Sequence, residues 1–287
     1  MDIILENSEV VAKIKSLGAE LVSFKDVKTQ KEYMWRGEVW KKTSPVLFPV
    51  IGSLIDGGYT LNGNEYAMAK HGFAQGVEFE MRAHSENFVH FVLKSSEESL
   101  KIFPFEFEFS LIYTLKGRSL NVEYRVENRG SEVMIFSVGG HPGFACPLDS
   151  GRTIDGYFIE FEKEETTRRY PVEGMYISRT MLPGLEKSKK MFLSKTIFEN
   201  DAWIFKNLKS DYVKIKNIYD HSEIKIGVKG FEYLAFWSKP GAAYVCVEPW
   251  CGIADFIGHS RDLREKEGVV FLEKDNTFSI DMPIEIN

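Results

Sequence analysis

The sequence predicts an all-β protein, and three observations carry that expectation. Apolar and polar residues alternate with a period of two along most of the chain, and turn signals separate the alternating segments. Aromatic residues make up 14% of the chain, with 22 Phe, a bias toward residues that pack well on a pleated surface. Helical periodicity is nearly absent: short helices are predicted only over Glu97–Phe103, ahead of Pro104, and in the region 201–208.

The elements follow in order. Strands are predicted over Val10–Lys15, Leu21–Asp26, Glu78–Ala83 and Phe88–Lys94. Phe105, Phe107, Phe109, Leu111, Tyr113 and Leu115 then alternate with Glu106, Glu108, Ser110 and Thr114, with Ile112 the exception, which is the pattern of a half-buried antiparallel strand. After a turn at Gly117-Arg118-Ser119, Leu120, Val122, Tyr124 and Val126 alternate with Asn121, Glu123, Arg125 and Glu127. A second turn at Asn128-Arg129-Gly130 precedes Val133–Val138, so a three-stranded meander leading into His141 is expected. Further strands are predicted over Gly156–Glu162, Tyr212–Asn217, Ile224–Val228, Leu234–Trp237 and Val269–Leu272. The charge-rich stretches Glu162–Arg169 and Glu186–Lys195 read as solvated loops or exposed strand faces. With no internal repeat or linker, residues 1–287 are read as a single β domain.

Charge and composition narrow the partners. The formal net charge is −6 and no basic stripe is present, so the electrostatic footprint of a nucleic-acid binder is missing. The start, Met1-Asp2-Ile3-Ile4-Leu5-Glu6-Asn7, lacks the basic and apolar regions of a signal peptide, and no window approaches a membrane span. The cysteines, Cys146, Cys246 and Cys251, are 3 in number, which fits a reducing compartment better than a disulfide framework. A cytoplasmic protein with a small or neutral partner and no membrane association is expected. Cys246 and Cys251 have no second Cys or His pair at ligand spacing, so no metal is expected.

Glu248 is the most informative residue. It ends the apolar run from Ala242 to Val247, on the face shared by Tyr244 and Cys246, where Pro249 interrupts strand hydrogen bonding. Charged groups are seldom buried without a partner or a task. Among the 6 histidines, His84 and His90 read as surface positions, His221 and His259 as turn and loop residues. His71, in Lys70-His71-Gly72-Phe73, and His141, in Gly140-His141-Pro142-Gly143-Phe144, are flanked by glycine and an aromatic, which lets backbone or ligand come close. Glu248 and His141 thus suggest an acid–base pair. The segment from Thr43 to Leu54, with Pro45 and Pro49, reads as a rigid connection beside a cavity. Trp35, Trp40, Trp237 and Trp250 are flat apolar faces of the kind on which sugar rings stack, and equally good core material.

The ordered set Leu17-Gly18-Ala19-Glu20-Leu21-Val22-Ser23-Phe24, Ser44-Pro45 through Phe48-Pro49 and Gly52, Lys70-His71-Gly72-Phe73-Ala74, Gly140-His141-Pro142-Gly143-Phe144 and Glu248-Pro249-Trp250-Cys251-Gly252 resembles the aldose 1-epimerase (galactose mutarotase-like) family, closest to its LacX-type branch. The resemblance implies a large antiparallel β-sandwich, a supersandwich whose concave sheet holds a sugar in an open cleft. It implies that Glu248 is the general base at the anomeric hydroxyl, that His141 is the general acid at the ring oxygen, and that His71 and Asp201 bind substrate. Trp237 and Ser53 are further candidate contacts; Ser53 stands where many relatives carry an arginine. Opening a cyclic hemiacetal needs one proton removed and one delivered, so no cofactor is required. Two alternatives stand beside an aldose or sugar-phosphate epimerase. One is a non-catalytic carbohydrate-binding β-sandwich, consistent with the missing arginine; the other is a glycoside hydrolase using Glu248 with a second carboxylate.

Overall fold

The computed structural model describes residues 1–149 and 151–287. Two large antiparallel sheets dominate it. The first has nine strands in the order Leu182–Phe192, Tyr157–Arg169, Tyr212–Asn217, Glu223–Gly227, Thr277–Ile286, Ser119–Asn128, Phe107–Lys116, Phe88–Lys94 and Glu80–Ser85. The second has six strands and runs Trp203–Lys206, Tyr233–Trp237, Tyr244–Cys251, Val138–Gly140, Val46–Leu47, with Gly143–Ala145 also pairing Tyr244–Cys251. A three-stranded sheet, Asp2–Glu6, Val10–Lys15 and Leu21–Asp26, lies at the amino terminus. The predicted all-β sandwich is therefore the observed architecture, and no helix among the described residues is long and apolar enough to cross a membrane.

The two large sheets meet through aromatic side chains. Phe161 of the nine-stranded sheet has its ring centroid 6.4 Å from Phe205 and 6.0 Å from Phe236 of the six-stranded one. Phe48, which follows the edge strand Val46–Leu47, stacks on Phe109 at 4.5 Å and meets Phe107 at 5.1 Å. Burying each such ring stabilises the fold by roughly 1.5–3 kcal/mol, and the rings also fix the spacing between the sheets.

Several predicted elements take a different form. Phe107–Lys116 is buried on both faces as far as Tyr113, because it lies inside the nine-stranded sheet and its polar face is covered. Glu108 tolerates this through Arg82, whose guanidinium lies 2.6 Å from it. The expected meander breaks after its second strand. Asn128 donates its amide to the carbonyls of Glu132 and Leu272 at 2.8 and 2.9 Å, turning the chain out of the sheet. Met134–Phe136 then pairs with Val270–Leu272, and Thr277–Ile286 takes the place beside Ser119–Asn128. The helix expected in 201–208 is a strand, Trp203–Lys206, because pairing with Tyr233–Trp237 outweighs local propensity. The helix of Glu97–Phe103 shrinks to Glu97–Leu100, opened by a reciprocal Ser96–Ser99 capping box. Of the two readings for Glu162–Arg169, the exposed strand face is correct: it extends Tyr157–Arg169 against Leu182–Phe192.

Candidate active site

Strand register brings Glu248 and His141 together. Gly139 pairs with Trp250 and Gly143 with Cys246, so the bend between those two short strands lies opposite Glu248. The bend is held by the His141 N–H donating to the Pro45 carbonyl at 3.1 Å and the Val247 N–H donating to the Pro142 carbonyl at 3.2 Å. A side chain at position 143 would not fit: a Cβ there would stand 2.8 Å from the Trp40 ring. The result is a His141 Nε2 to Glu248 Oε2 separation of 3.2 Å, with the two side chains 12% and 2% exposed.

His71 arrives from a turn. It has a positive φ of 67°, and Gly72 beside it has φ 75° with Phe48 backbone so close that a Cβ would lie 2.1 Å from its carbonyl oxygen. The His71 Nδ1 accepts the Gly52 N–H at 3.1 Å, which identifies Nε2 as the protonated nitrogen of the neutral ring. His71 and His141 stand edge to face at 5.6 Å. Trp40 at 5.1 Å and Trp237 at 5.9 Å complete a box around the His141 ring. Its Nδ1 is buried without a hydrogen-bond partner, so on that side the ring is held by packing alone.

These groups line a cavity of about 370 Å³. His71, His141, Asp201, Trp237 and Glu248 all border it. Ser53 borders an adjoining cavity of about 420 Å³, which shares Lys70 and Met175 with the first. The hydroxyl of Ser53 is buried and unpartnered. Of the cations in the segment from Arg36 to Lys42, Lys42 reaches the cavity wall, whereas Arg36 lies 3.8 Å from Glu32. Lys70, Gln75 and the hairpin around Gly174 also line the cavity without having been singled out as site residues. The hairpin's signal in the sequence is Gly174, at the turn between Val172–Glu173 and Tyr176–Ile177, which says nothing of what it faces.

Burial sets the electrostatics. It pushes the Glu248 carboxyl well above the usual carboxylate range, an effect that Lys70 opposes and Asp201 reinforces. It holds the His141 imidazole down at about 3, with Lys70 and Lys42 adding to the shift. His71 is likewise lowered by burial first and by His141 next. Both members of the central pair are therefore driven toward their uncharged forms, a carboxyl 3.2 Å from an imidazole.

His141, Cys246 and Glu248 form the one group among the described residues with ligand atoms placed to hold a metal, all within 4.8 Å of one another. Burial raises the Cys246 thiol well above its ordinary value, so the sulfur is held in its protonated, weakly ligating form. All three cysteines are free and buried.

A family model described as aldose 1-epimerase matches residues 1–282. The chain is similar to the plasmid and chromosomal LacX proteins of Lactococcus lactis subsp. lactis, at 31% and 30% identity over 94% of this chain and 94% of each relative. Among solved structures, it superposes on a galactose mutarotase related enzyme from Lactobacillus acidophilus with a TM-score of 0.95 at 32% identity, covering 100% of this chain and 97% of that one. A galactose mutarotase-like protein from Lactobacillus casei ATCC 334 gives 0.93 at 28% identity, covering 100% of both. With its family model spanning nearly the whole chain, this protein belongs to the aldose 1-epimerase family.

Proposed function

We propose that this protein catalyses the interconversion of the α and β anomers of an aldose, acting as a mutarotase in a reducing, cytoplasmic compartment. The observation that carries the reading is the His141–Glu248 contact of 3.2 Å at the wall of a sugar-sized cavity. Anomer exchange requires a proton to leave O1 as another reaches the ring oxygen, and the pair holds one proton for that purpose. A sugar hydroxyl presented to Glu248 stabilises its carboxylate, which leaves the shared proton on His141. Glu248 then removes the O1 proton while His141 protonates the ring oxygen. The C1–O5 bond breaks, and the aldehyde forms. Rotation about C1–C2 and reversal of both transfers close the other anomer and restore the pair. His71, Asp201 and Trp237 bind and orient the ring.

The test is polarimetry or NMR on freshly dissolved anomers. Glu248→Gln and His141→Asn are each expected to slow mutarotation by at least about a hundredfold, the usual worth of a positioned acid or base. Variants that remain folded and keep the full rate would remove the assignment. A wild-type protein that binds aldoses without accelerating exchange would support the non-catalytic carbohydrate-binding reading, which the family resemblance suggests through Ser53, where it implies an arginine in many relatives.

A further inference from the structure

A buried ion pair lies behind the cavity wall, and the proposed proton transfers do not call on it. The Lys266 ammonium stands 2.7 Å from Asp255 Oδ1, and the two side chains are 1% and 2% exposed. Such a pair adds little to stability, because apolar side chains of similar volume are often as stable in its place. Its local effect is to bracket Ala254. Lys266 donates to the Ile253 carbonyl at 2.6 Å as well as to Asp255, so one ammonium holds the residues on both sides of that alanine. Asp255 then grips the facing segment at two points: its N–H donates to the Ser53 carbonyl at 3.0 Å, and its Oδ2 accepts the Ile55 N–H at 2.9 Å.

That grip reaches the site through Gly52. The Gly52 backbone has a φ of 68° and lies so close to Ala254 that a Cβ there would stand 2.2 Å from the alanine Cβ. Gly52 in turn holds His71 twice, its carbonyl accepting the His71 N–H at 2.9 Å and its own N–H donating to the ring Nδ1 at 3.1 Å. Gly52, Ala254 and His71 all line the sugar cavity. We propose that Asp255 is a positioning residue for this site: it fixes the turn at Gly52 and, through it, the tautomer and aim of His71. This rests on the epimerase reading of the cavity and adds to it a residue that acts from behind the wall. Lys266 keeps the Asp255 carboxylate neutralised, which lets it serve as a backbone acceptor inside the fold.

The test compares two double variants. Lys266→Met with Asp255→Leu removes both charges and the acceptor for Ile55, whereas Lys266→Met with Asp255→Asn removes the charges and keeps a side-chain carbonyl for that N–H. Both lose the Lys266 contact with Ile253, so the difference between them isolates the Asp255 acceptor. Proton–nitrogen NMR spectra of the histidine rings read the His71 tautomer, and anomer exchange gives kcat and KM for the folded protein. Wild type and the Asn variant should show His71 as the Nε2–H tautomer alone. In the Leu variant both tautomers should be populated, and kcat/KM should fall at least about tenfold below that of the Asn variant, as expected when a substrate-orienting group is misplaced. An ion pair that only stabilises the fold would lower Tm in both variants and leave the His71 signals and the folded-state rate unchanged. That result overturns the proposal, as does an equal loss of rate in the two variants. Should the Leu variant not fold, Ile55→Pro decides by the same two readings. It deletes the N–H and leaves the ion pair, at the first position of the short helical turn Ile55–Gly57, where the preceding Leu54 already has the extended φ −102°, ψ 147° that proline requires. Wild-type His71 signals and rate in that variant would count against the proposal. If wild type turns over no aldose, the epimerase reading fails separately, and the His71 tautomer alone decides the role of Asp255.

Discussion

A carboxyl only 2% exposed, facing an imidazole rather than a permanent cation, is a placement that costs stability. The sign follows from proton binding. With its folded pKa raised, Glu248 holds a proton in the native state at pH values where the unfolded chain has released it, so its contribution falls as pH rises above the ordinary carboxyl value of 4.5. Glu248→Gln keeps the shape and removes the ionisation. It should therefore unfold at a higher Tm than wild type near neutral pH, by the equivalent of about 1 kcal/mol, while losing turnover. Thermal melts at pH 5 and pH 8 check this: the gain should be larger at pH 8, and a variant less stable than wild type at both values would contradict the account. At the same scale, the unpartnered Nδ1 of His141 leaves that side of the ring held by Trp40, Trp237 and His71, an economy of polar contacts at the position proposed to protonate the ring oxygen.

Among the elements, the segment from Thr43 to Leu47 links the site to the core. Its start is fixed by Glu20, buried at 6% exposure, and its Pro45 carbonyl accepts the His141 N–H. Glu20→Ala leaves the Thr43 and Ser44 N–H groups without their acceptor and Lys15 without its partner, a loss of about 3 kcal/mol. Chemical denaturation should show the lower stability, and the surviving folded fraction should show a reduced kcat because His141 loses its bracket. An unchanged unfolding midpoint would mean that water replaces the carboxylate. The strap from Trp35 to Lys42 is tied more lightly, by the Trp35 indole N–H donating to the Trp40 carbonyl at 2.8 Å and the Lys239 ammonium donating to the Val39 carbonyl at 2.7 Å. It carries both Trp40 and Lys42 to the cavity, so one surface segment supplies ring packing and charge together.

For the molecule as a whole, histidines buried in the neutral form predict an acid limb in stability. The His141 pKa is lowered to about 3, so between about 3 and the ordinary value of 6.5 the unfolded chain binds a proton that the native one does not. Stability therefore rises with pH through that window, and His71, lowered in the same direction, adds to the slope. Tm measured from pH 4 to pH 6 should climb, because the two histidines outweigh the opposing Glu248 contribution, and His141→Asn should flatten the climb. A variant with the wild-type slope would place the acid sensitivity elsewhere. Asp26, lowered to about 2 by the Thr29 N–H first and Arg118 after burial is counted, contributes stability that is fully present above its ordinary 3.8 and is lost as pH falls below it.

The sequence by itself determined the fold class and pointed to the residues of the proposed site. Period-two alternation and aromatic strands are local consequences of a pleated backbone with one buried face, and Glu248, His141 and His71 stood out because charge, glycine and proline break that pattern. What alternation cannot encode is which strand lies beside which. The departure of Met134–Phe136 from the meander was decided by Asn128 donating both to the nearby Glu132 carbonyl and to that of Leu272, 144 residues away. The strand at Trp203–Lys206 was decided by its partner, Tyr233–Trp237. Only the register of two short strands against Tyr244–Cys251 set His141 opposite Glu248. Lys70 and Gln75 are ordinary surface residues in the sequence. Only a turn and a long-range hydrogen bond bring them to the wall of the same cavity as Lys42.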